Sequence, residues 1–324
     1  MFNQFLLTVL NSHKKSYKYI NLLARIIIGI VALIYIYFRL KDDIDTHLSS
    51  LSVLTTENYI LLLIALLLMP VNWGIEAFKW KFVIRKFENV PFIKALKHVF
   101  ASITIGLTTP NRIGEIPARV YLLDNKTHLT GLIGVTFLAS FSQVIITFLG
   151  GFVAIFFLKE NVLFKNYFTL WMIVGSFVTA LLFLVYFYSK PILTVIQKIP
   201  FLNKKKWLEK FRFLSTQEKS MVLFISLVRY LVFVVQFYIV LRAFHIPIND
   251  IATINLIPLF FVISSFIPTF IISEIAVRGS VALVVFSSVS TDSLLIISAA
   301  VSLWIINVAL PSIIGISGLK QLKF

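Results

Sequence analysis

The chain has 324 residues, of which 59% are apolar, 15% aromatic and only 14% charged, with a formal net charge of +16 and no cysteine. Such a composition excludes a soluble globular domain, and the missing cysteine excludes disulfides, thiolate metal sites and a cysteine nucleophile. The basic excess follows the connections between apolar runs, so it reads as membrane sidedness and not as a nucleic-acid surface.

The opening "MFNQFLLTVLNSHKK" places apolar residues before its positive charges, the reverse of a secretory signal, and predicts a short interfacial helix. Lys14, Lys15, Lys18 and Arg25 precede a first apolar run at about 20–39, and the connection after it carries Asp42, Asp43, Asp45 and Glu57 against Lys41. A second run at about 58–79 is followed by Lys79, Lys81, Arg85, Lys86, Lys94 and Lys97. Each run is long enough for a helix to cross a hydrocarbon core about 30 Å thick. The stretch at 95–123 is apolar, broken at "TTPNR" and basic at both flanks, so it predicts a re-entrant hairpin entering from the cytoplasm. Spans at about 129–157 and 167–188 lead to a basic cytoplasmic loop at 189–219 containing Lys204, Lys205, Lys206, Lys210 and Arg212. After a span at about 220–243 comes a second broken stretch, 252–286, between two connections poor in positive charge, which predicts a hairpin entering from outside. A last span at about 293–317 returns the chain to the side where Lys320 and Lys323 lie.

The expected fold is therefore an all-α polytopic membrane protein. It has six transmembrane helices and two oppositely oriented re-entrant hairpins, in one integral membrane domain over 1–324, with both termini in the cytoplasm and the cytoplasmic (inner) membrane as its location. The hairpins share a weak repeat, Pro110, Glu115, Arg119 in the first and Pro268, Glu274, Arg278 in the second. In opposite topologies this is a pseudo-inverted repeat, an arrangement that brings broken helices to a midplane binding site. Irregular backbone at that depth requires protein or a water-filled cavity around it.

Of eight glutamates and six aspartates, only Glu115 and Glu274 fall at depth, with Glu76 about one turn from the boundary. A charged side chain near the bilayer centre costs at least about 2.5–3.5 kcal/mol, so these acids require partners. The four-residue spacing to Arg119 and Arg278 permits pairing within each helix. Tips that meet near the midplane equally permit Glu115 to reach Arg278 and Glu274 to reach Arg119. Two readings stay open: structural ion pairs, or an anion site in which the excess of Arg112, Arg119, Arg278 and Arg229 binds phosphate through its planar donor forks. Thr109, Asn111 and Ser273 at the turns join the candidate substrate contacts. Asn72, Glu76, Gln143, Gln236 and Asn307 are candidate cavity-lining residues, although hydrogen bonding between helices is the commoner use of such amides. The five histidines have no ligand spacing, and neither a metal nor a cofactor is expected.

The segment "TPNRIGEIPARVYLL" resembles the P-G-R-x-G-E-x-x-R-x-x-x-L signature of the membrane region of lysylphosphatidylglycerol synthases and related flippase-like proteins. "NWGIEAFKWKFVI", "SLVRYLVFVVQFYIVLRAF" and "SLWIINVALPSIIGI" are similar to that family's flanking spans, so the resemblance covers roughly residues 15–320. It implies re-entrant helices around a lipid-accessible cavity and movement of modified phospholipids or polyprenyl-linked lipids between leaflets. Asn111 stands where the family usually has glycine, and "TFIISEIAVRG" replaces a glycine-rich turn. The soluble aminoacyl-transferase domain of the bifunctional synthases is missing from these residues, so this chain alone is not expected to make lysyl-lipid.

Three functions remain open on the sequence: a lipid flippase, an intramembrane lipid transferase using Glu115 or Glu274 as general base, and a non-transporting anchor for a soluble lipid synthase. The expected partner is a membrane phospholipid or lipid-linked substrate; a soluble synthase partner and a homo-oligomer stay open. The opposed hairpins make a direct prediction in this cysteine-free chain. Cysteine introduced at Thr109 is reached by an impermeant thiol reagent only from the cytoplasmic side, and at Thr269 only from outside. Labelling of both from one side overturns the opposed arrangement.

Overall fold

The structure, a computed structural model, describes residues 27, 29–41, 55–109, 112–124, 128–160, 164–189, 214–269 and 271–319. The N-terminal stretch, Pro110, Asn111, Lys126, the basic loop around Lys204–Lys206 and the terminal lysines lie outside the described residues.

Helix follows helix: α1 (Gly29–Leu40), α2 (Thr56–Ile84), α3 (Phe92–Leu107), α4 (Glu115–Tyr121), α5 (Leu129–Phe157), α6 (Phe168–Phe187), α7 (Thr216–Ala243), α8 (Ile251–Phe266), α9 (Ile271–Phe286) and α10 (Ser293–Leu319). No strand occurs among the described residues. Helices α2, α5, α6 with the 3-10 turn before it, α7 and α10 are each long and apolar enough to cross a membrane. They coincide with five of the six expected spans, and α1 is the described part of the other. The outward faces are largely apolar, for example Ile60, Leu63, Leu67 and Phe78 on α2 and Ile173, Phe177 and Leu181 on α6. A surface of that kind is stable only against lipid.

At the centre, α2 and α7 run antiparallel, and their seam is polar at regular intervals. Asn58 Nδ2 donates to the carbonyl of Ala243 (2.8 Å), Gln236 Nε2 to the carbonyl of Ala65 (2.7 Å), Arg229 Nε to Asn72 Oδ1 (2.9 Å) and Lys79 Nζ to Ser226 Oγ (3.2 Å). At one end Arg85 and Lys86 both hold Glu218, at 3.1 and 2.6 Å. On α2 the rungs fall at 58, 65, 72 and 79, the seven-residue period that keeps one helical seam facing its partner. From Asn58 to Arg85 the seam runs about 40 Å at a helical rise of 1.5 Å per residue, the thickness of a bilayer with its headgroups.

Two helix-break-helix units flank this pair. In the first, α3 and α4 are separated between Leu107 and Glu115; in the second, α8 and α9 are separated between Phe266 and Ile271. The arms of each unit pack on one another, and Lys94 donates to Asp124 across the open end of the first. That hydrogen bond holds the exposed Asp124 carboxyl below its ordinary pKa. Packing between the halves is reciprocal. The first arm α3 lies on α10, the span that follows the second break, and the first arm α8 lies on α5, the span that follows the first. Likewise α2 packs on α5 as α7 packs on α10. This exchange is what a two-fold relation between halves requires.

Close backbone approach holds α3 to α10. A Cβ on Gly315 would collide with the carbonyl of Phe100, and beside it Thr104 Oγ1 donates to the carbonyl of Ser312 at 2.7 Å. Small residues at such crossings let membrane helices pack where no hydrophobic force between helices exists. By contrast a Cβ on Gly74 would meet only the Phe92 ring, at 3.7 Å. Gly315→Ala is therefore expected to destabilise the folded protein by about 1–3 kcal/mol, and Gly74→Ala to leave it unchanged. Thermal unfolding of the two variants in detergent measures the difference.

Candidate functional site

The sequence forms the first break for local reasons. Thr109 Oγ1 donates to the carbonyl of Gly106 (2.8 Å) and accepts the amide of Gly114 (2.9 Å), which ties both sides of the turn together. Arg112 within it has a left-handed backbone, φ 55°. Outside glycine, asparagine and aspartate that conformation is uncommon, and such strain collects at functional positions. It aims the guanidinium across the molecule. Arg112 Nη2 reaches both oxygens of Glu274, at 2.8 and 2.9 Å, in the first turn of α9. Arg278 grips the same carboxylate from four residues on, with Nη2 at 3.0 Å from Oε1. Glu115 lies 3.9 Å from Arg112 Nη1 and fills the space left by the missing side chain of Gly106.

A second cluster gathers on Glu76 of α2. Arg119 from α4 donates through Nη1 to Oε1 at 2.8 Å. Lys79 Nζ and Arg229 Nη1, from α2 and α7, lie 2.9 and 3.0 Å from Oε2, without an aligned hydrogen bond to that oxygen. Surrounding groups fix each cation. Arg119 Nε donates to Ser102 Oγ (3.3 Å), and Arg229 stacks over the ring of Trp73 (4.9 Å). Ser226, which accepts from Lys79, is bonded in turn to Ser142 (2.7 Å). All four charged residues are buried. One carboxylate holds three cations.

Both clusters line one cavity of about 650 Å³ between α2, α4, α5, α7, α8, α9 and α10. Its charged lining consists of Lys79, Arg112, Arg119, Arg229 and Arg278 against Glu76 and Glu115. Its mouth includes Ile113, Phe137 and Val144, which are 66%, 55% and 41% exposed. The cavity therefore opens at the surface of the bundle among exposed apolar side chains. A π-turn at Ile305–Ala309 in α10 turns Asn307 into the lining, where its Nδ2 donates to Gln236 Oε1 at 2.8 Å. Such turns interrupt helices most often at functional positions. Trp73 Nε1, Trp304 Nε1 and Tyr230 OH belong to lining residues and are buried without a hydrogen-bond partner among the described residues. Buried donors of that kind ordinarily find one.

A family profile, described as "Lysylphosphatidylglycerol synthase TM region", matches residues 22–315. The chain belongs to that family. A comparison with curated proteins finds no significant match. In this chain the segment that resembles the family signature lies at the first break and supplies Arg112, Glu115 and Arg119 to the cavity.

Of the residues singled out by the family resemblance and the charge pattern, Arg112, Glu115, Arg119, Arg229 and Arg278 line the cavity, but the pairing differs from both sequence expectations at Arg119. It bonds neither Glu115 in its own helix nor Glu274 across the bundle, because α4 packs on α3 with Arg119 turned toward Glu76 of α2. Glu274 does keep its intrahelical partner Arg278, and it takes its cross-bundle partner from Arg112 instead. Glu76, Gln143 and Asn307 line the cavity, whereas Asn72 and Gln236 lie behind it and brace Arg229 and Asn307. Thr109 holds the turn, and Ser273 packs against Gly29 of α1; neither lines the cavity. Pro268 sits in the second break, and Pro110 and Asn111 lie outside the described residues. Lys79, which the charge pattern assigns to the cytoplasmic flank, is fully buried in the site. Its signal in the sequence is its place seven residues after Asn72 and three after Glu76.

The observed partners make a specific prediction. A double-mutant cycle of Arg112→Met with Glu274→Gln is expected to show a coupling of about 1 kcal/mol or more in thermal stability, as for direct desolvated pairs. Glu115→Gln with Arg278→Met is expected to couple less. The reverse order would relocate the contact between the two breaks.

Proposed function

We propose that this membrane protein is a flippase-like transporter that moves a phospholipid or polyprenyl-linked lipid between leaflets of the cytoplasmic membrane, with the headgroup phosphate held in the cavity. One observation carries the reading: the cavity concentrates more cations than carboxylates and opens between exposed apolar residues. A phosphate on a lipid matches both features, since its charge suits the guanidinium groups and its chains suit the apolar mouth. In this reading the anion site lies away from the tips of the two breaks. Arg112 and Arg278 neutralise Glu274, whereas Lys79, Arg119 and Arg229 share Glu76 alone and form the phosphate site.

In this reading the two broken units are re-entrant and enter from opposite sides, both termini are cytoplasmic, and the halves form an inverted repeat. The antiparallel α2/α7 pair and the reciprocal packing of α3 on α10 and α8 on α5 support it. Arg112–Glu274 is then the latch between halves. An arriving phosphate competes with carboxylates for guanidinium groups, so binding and release of the latch are linked, which gives a route to alternating exposure.

Reconstituted vesicles test the proposal with tail-labelled fluorescent phosphatidylglycerol and polyprenyl phosphate, their inner-leaflet fraction read by dithionite quenching. Wild-type protein is expected to expose one of them. Arg119→Met and Arg229→Met are expected to slow the exposure at least tenfold, since losing one member of a buried charged contact costs about 2–5 kcal/mol. Wild-type rates in both variants, with the protein folded, remove the phosphate site from the mechanism.

A further inference from the structure

We infer that the headgroup taken by this cavity is a dianionic phosphate, a lipid-borne phosphomonoester or diphosphate, and not a phosphodiester carrying a single charge. The inference rests on the transporter reading, which leaves the charge of the headgroup open.

The charges around the cavity are unevenly matched. At the break tips Arg112 and Arg278 face Glu274, with Glu115 3.9 Å from Arg112, so that cluster balances. At the other cluster Lys79, Arg119 and Arg229 face Glu76 alone, which leaves two positive charges in excess. The total is the same wherever Glu115 is counted, because the remaining lining residues are uncharged. An uncompensated charge at membrane depth is costly, and a headgroup bearing two negative charges cancels this excess where a phosphodiester cancels half.

Oxygen count leads to the same chemistry. The three cations converge from three helices, α2, α4 and α7. A terminal phosphate presents three unesterified oxygens, one for each, whereas a phosphodiester presents two. The Glu76 carboxylate has only two oxygens for the same three partners, and a guanidinium carries five donors and an ammonium three, so donor capacity remains on the cationic side. Glu76 thereby holds the cations together without using them up. The apolar mouth at Ile113, Phe137 and Val144 selects a lipid over free phosphate as the source.

The test uses the full chain in phosphatidylcholine nanodiscs, titrated with dodecyl phosphate, dodecyl methyl phosphate and inorganic phosphate, and followed by tryptophan fluorescence from the cavity. At about pH 8, where the monoester is doubly ionised, dodecyl phosphate is expected to bind at least about tenfold more tightly than the methyl diester, one charge in a desolvated site being worth that much. At about pH 5 the monoester takes up one proton and keeps a single charge, and the preference is expected to collapse; this arm needs no variant. Lys79→Met reduces the excess to one and is expected to shrink the ratio below about threefold. The pair Glu76→Gln with Lys79→Met restores an excess of two and is expected to restore the ratio, whatever its absolute affinity. Equal binding of the two dodecyl probes at about pH 8 overturns the dianion inference and leaves the transporter reading standing. Inorganic phosphate binding as tightly as dodecyl phosphate overturns the lipid source. Failure of all three probes to bind overturns both readings.

Discussion

The polar seam between α2 and α7 is the constraint on which the rest of the molecule depends. In lipid there is no hydrophobic force to drive helices together, so their register rests on close packing and interhelical hydrogen bonds. Here Asn58, Ala65, Asn72 and Lys79 meet Ala243, Gln236, Arg229 and Ser226 in a single antiparallel register. A slip by one helical turn would leave all four contacts unmade, and unsatisfied polar groups at this depth cost several kcal/mol each. The same seam carries Glu76, Lys79 and Arg229, so the element that sets the register also builds the charged cluster that lines the cavity.

The broken units complete that site from the two sides. Arg119 arrives on the short helix α4 and Arg112 on the strained turn before it, and each ends on a carboxylate from another part of the chain, Glu76 or Glu274. Removing one member of a buried pair costs about 3–5 kcal/mol, because the other charge is left without a partner. These contacts are therefore stable only as sets. A ligand that supplies its own anion changes the set without leaving a charge bare. That property gives a network of buried ion pairs a way to respond to a phosphate without unfolding.

Much of this was legible in the residues. Composition and run length identify an all-helical membrane protein, and five long apolar helices fall where the hydropathy places them. "TTPNRIGE" and "FIPTFIISE" locate the two breaks, because proline and polar residues interrupt an apolar helix for local reasons. The signature around Arg112, Glu115 and Arg119 indicates the family, and the family profile covers 22–315. Partner choice was not legible. Lys79 reads as a flanking charge and Arg119 as the partner of Glu115 or Glu274, since helical spacing constrains only neighbours on one helix.

What the sequence determined by itself is everything that depends on short-range physics: which segments are apolar enough for lipid, where the backbone cannot remain helical, and which few charges lie too deep to stay unpaired. Only the tertiary structure decided which charges meet. Glu76 and Arg229 are brought within 3.0 Å by the antiparallel register of α2 and α7, and Arg112 and Glu274 within 2.8 Å by the approach of the two breaks. Those distances are set by how whole helices pack, and a four-residue spacing holds no information about that. The concentration of positive charge on Glu76, from which the chemistry of the ligand is inferred, is a property of the packed bundle alone.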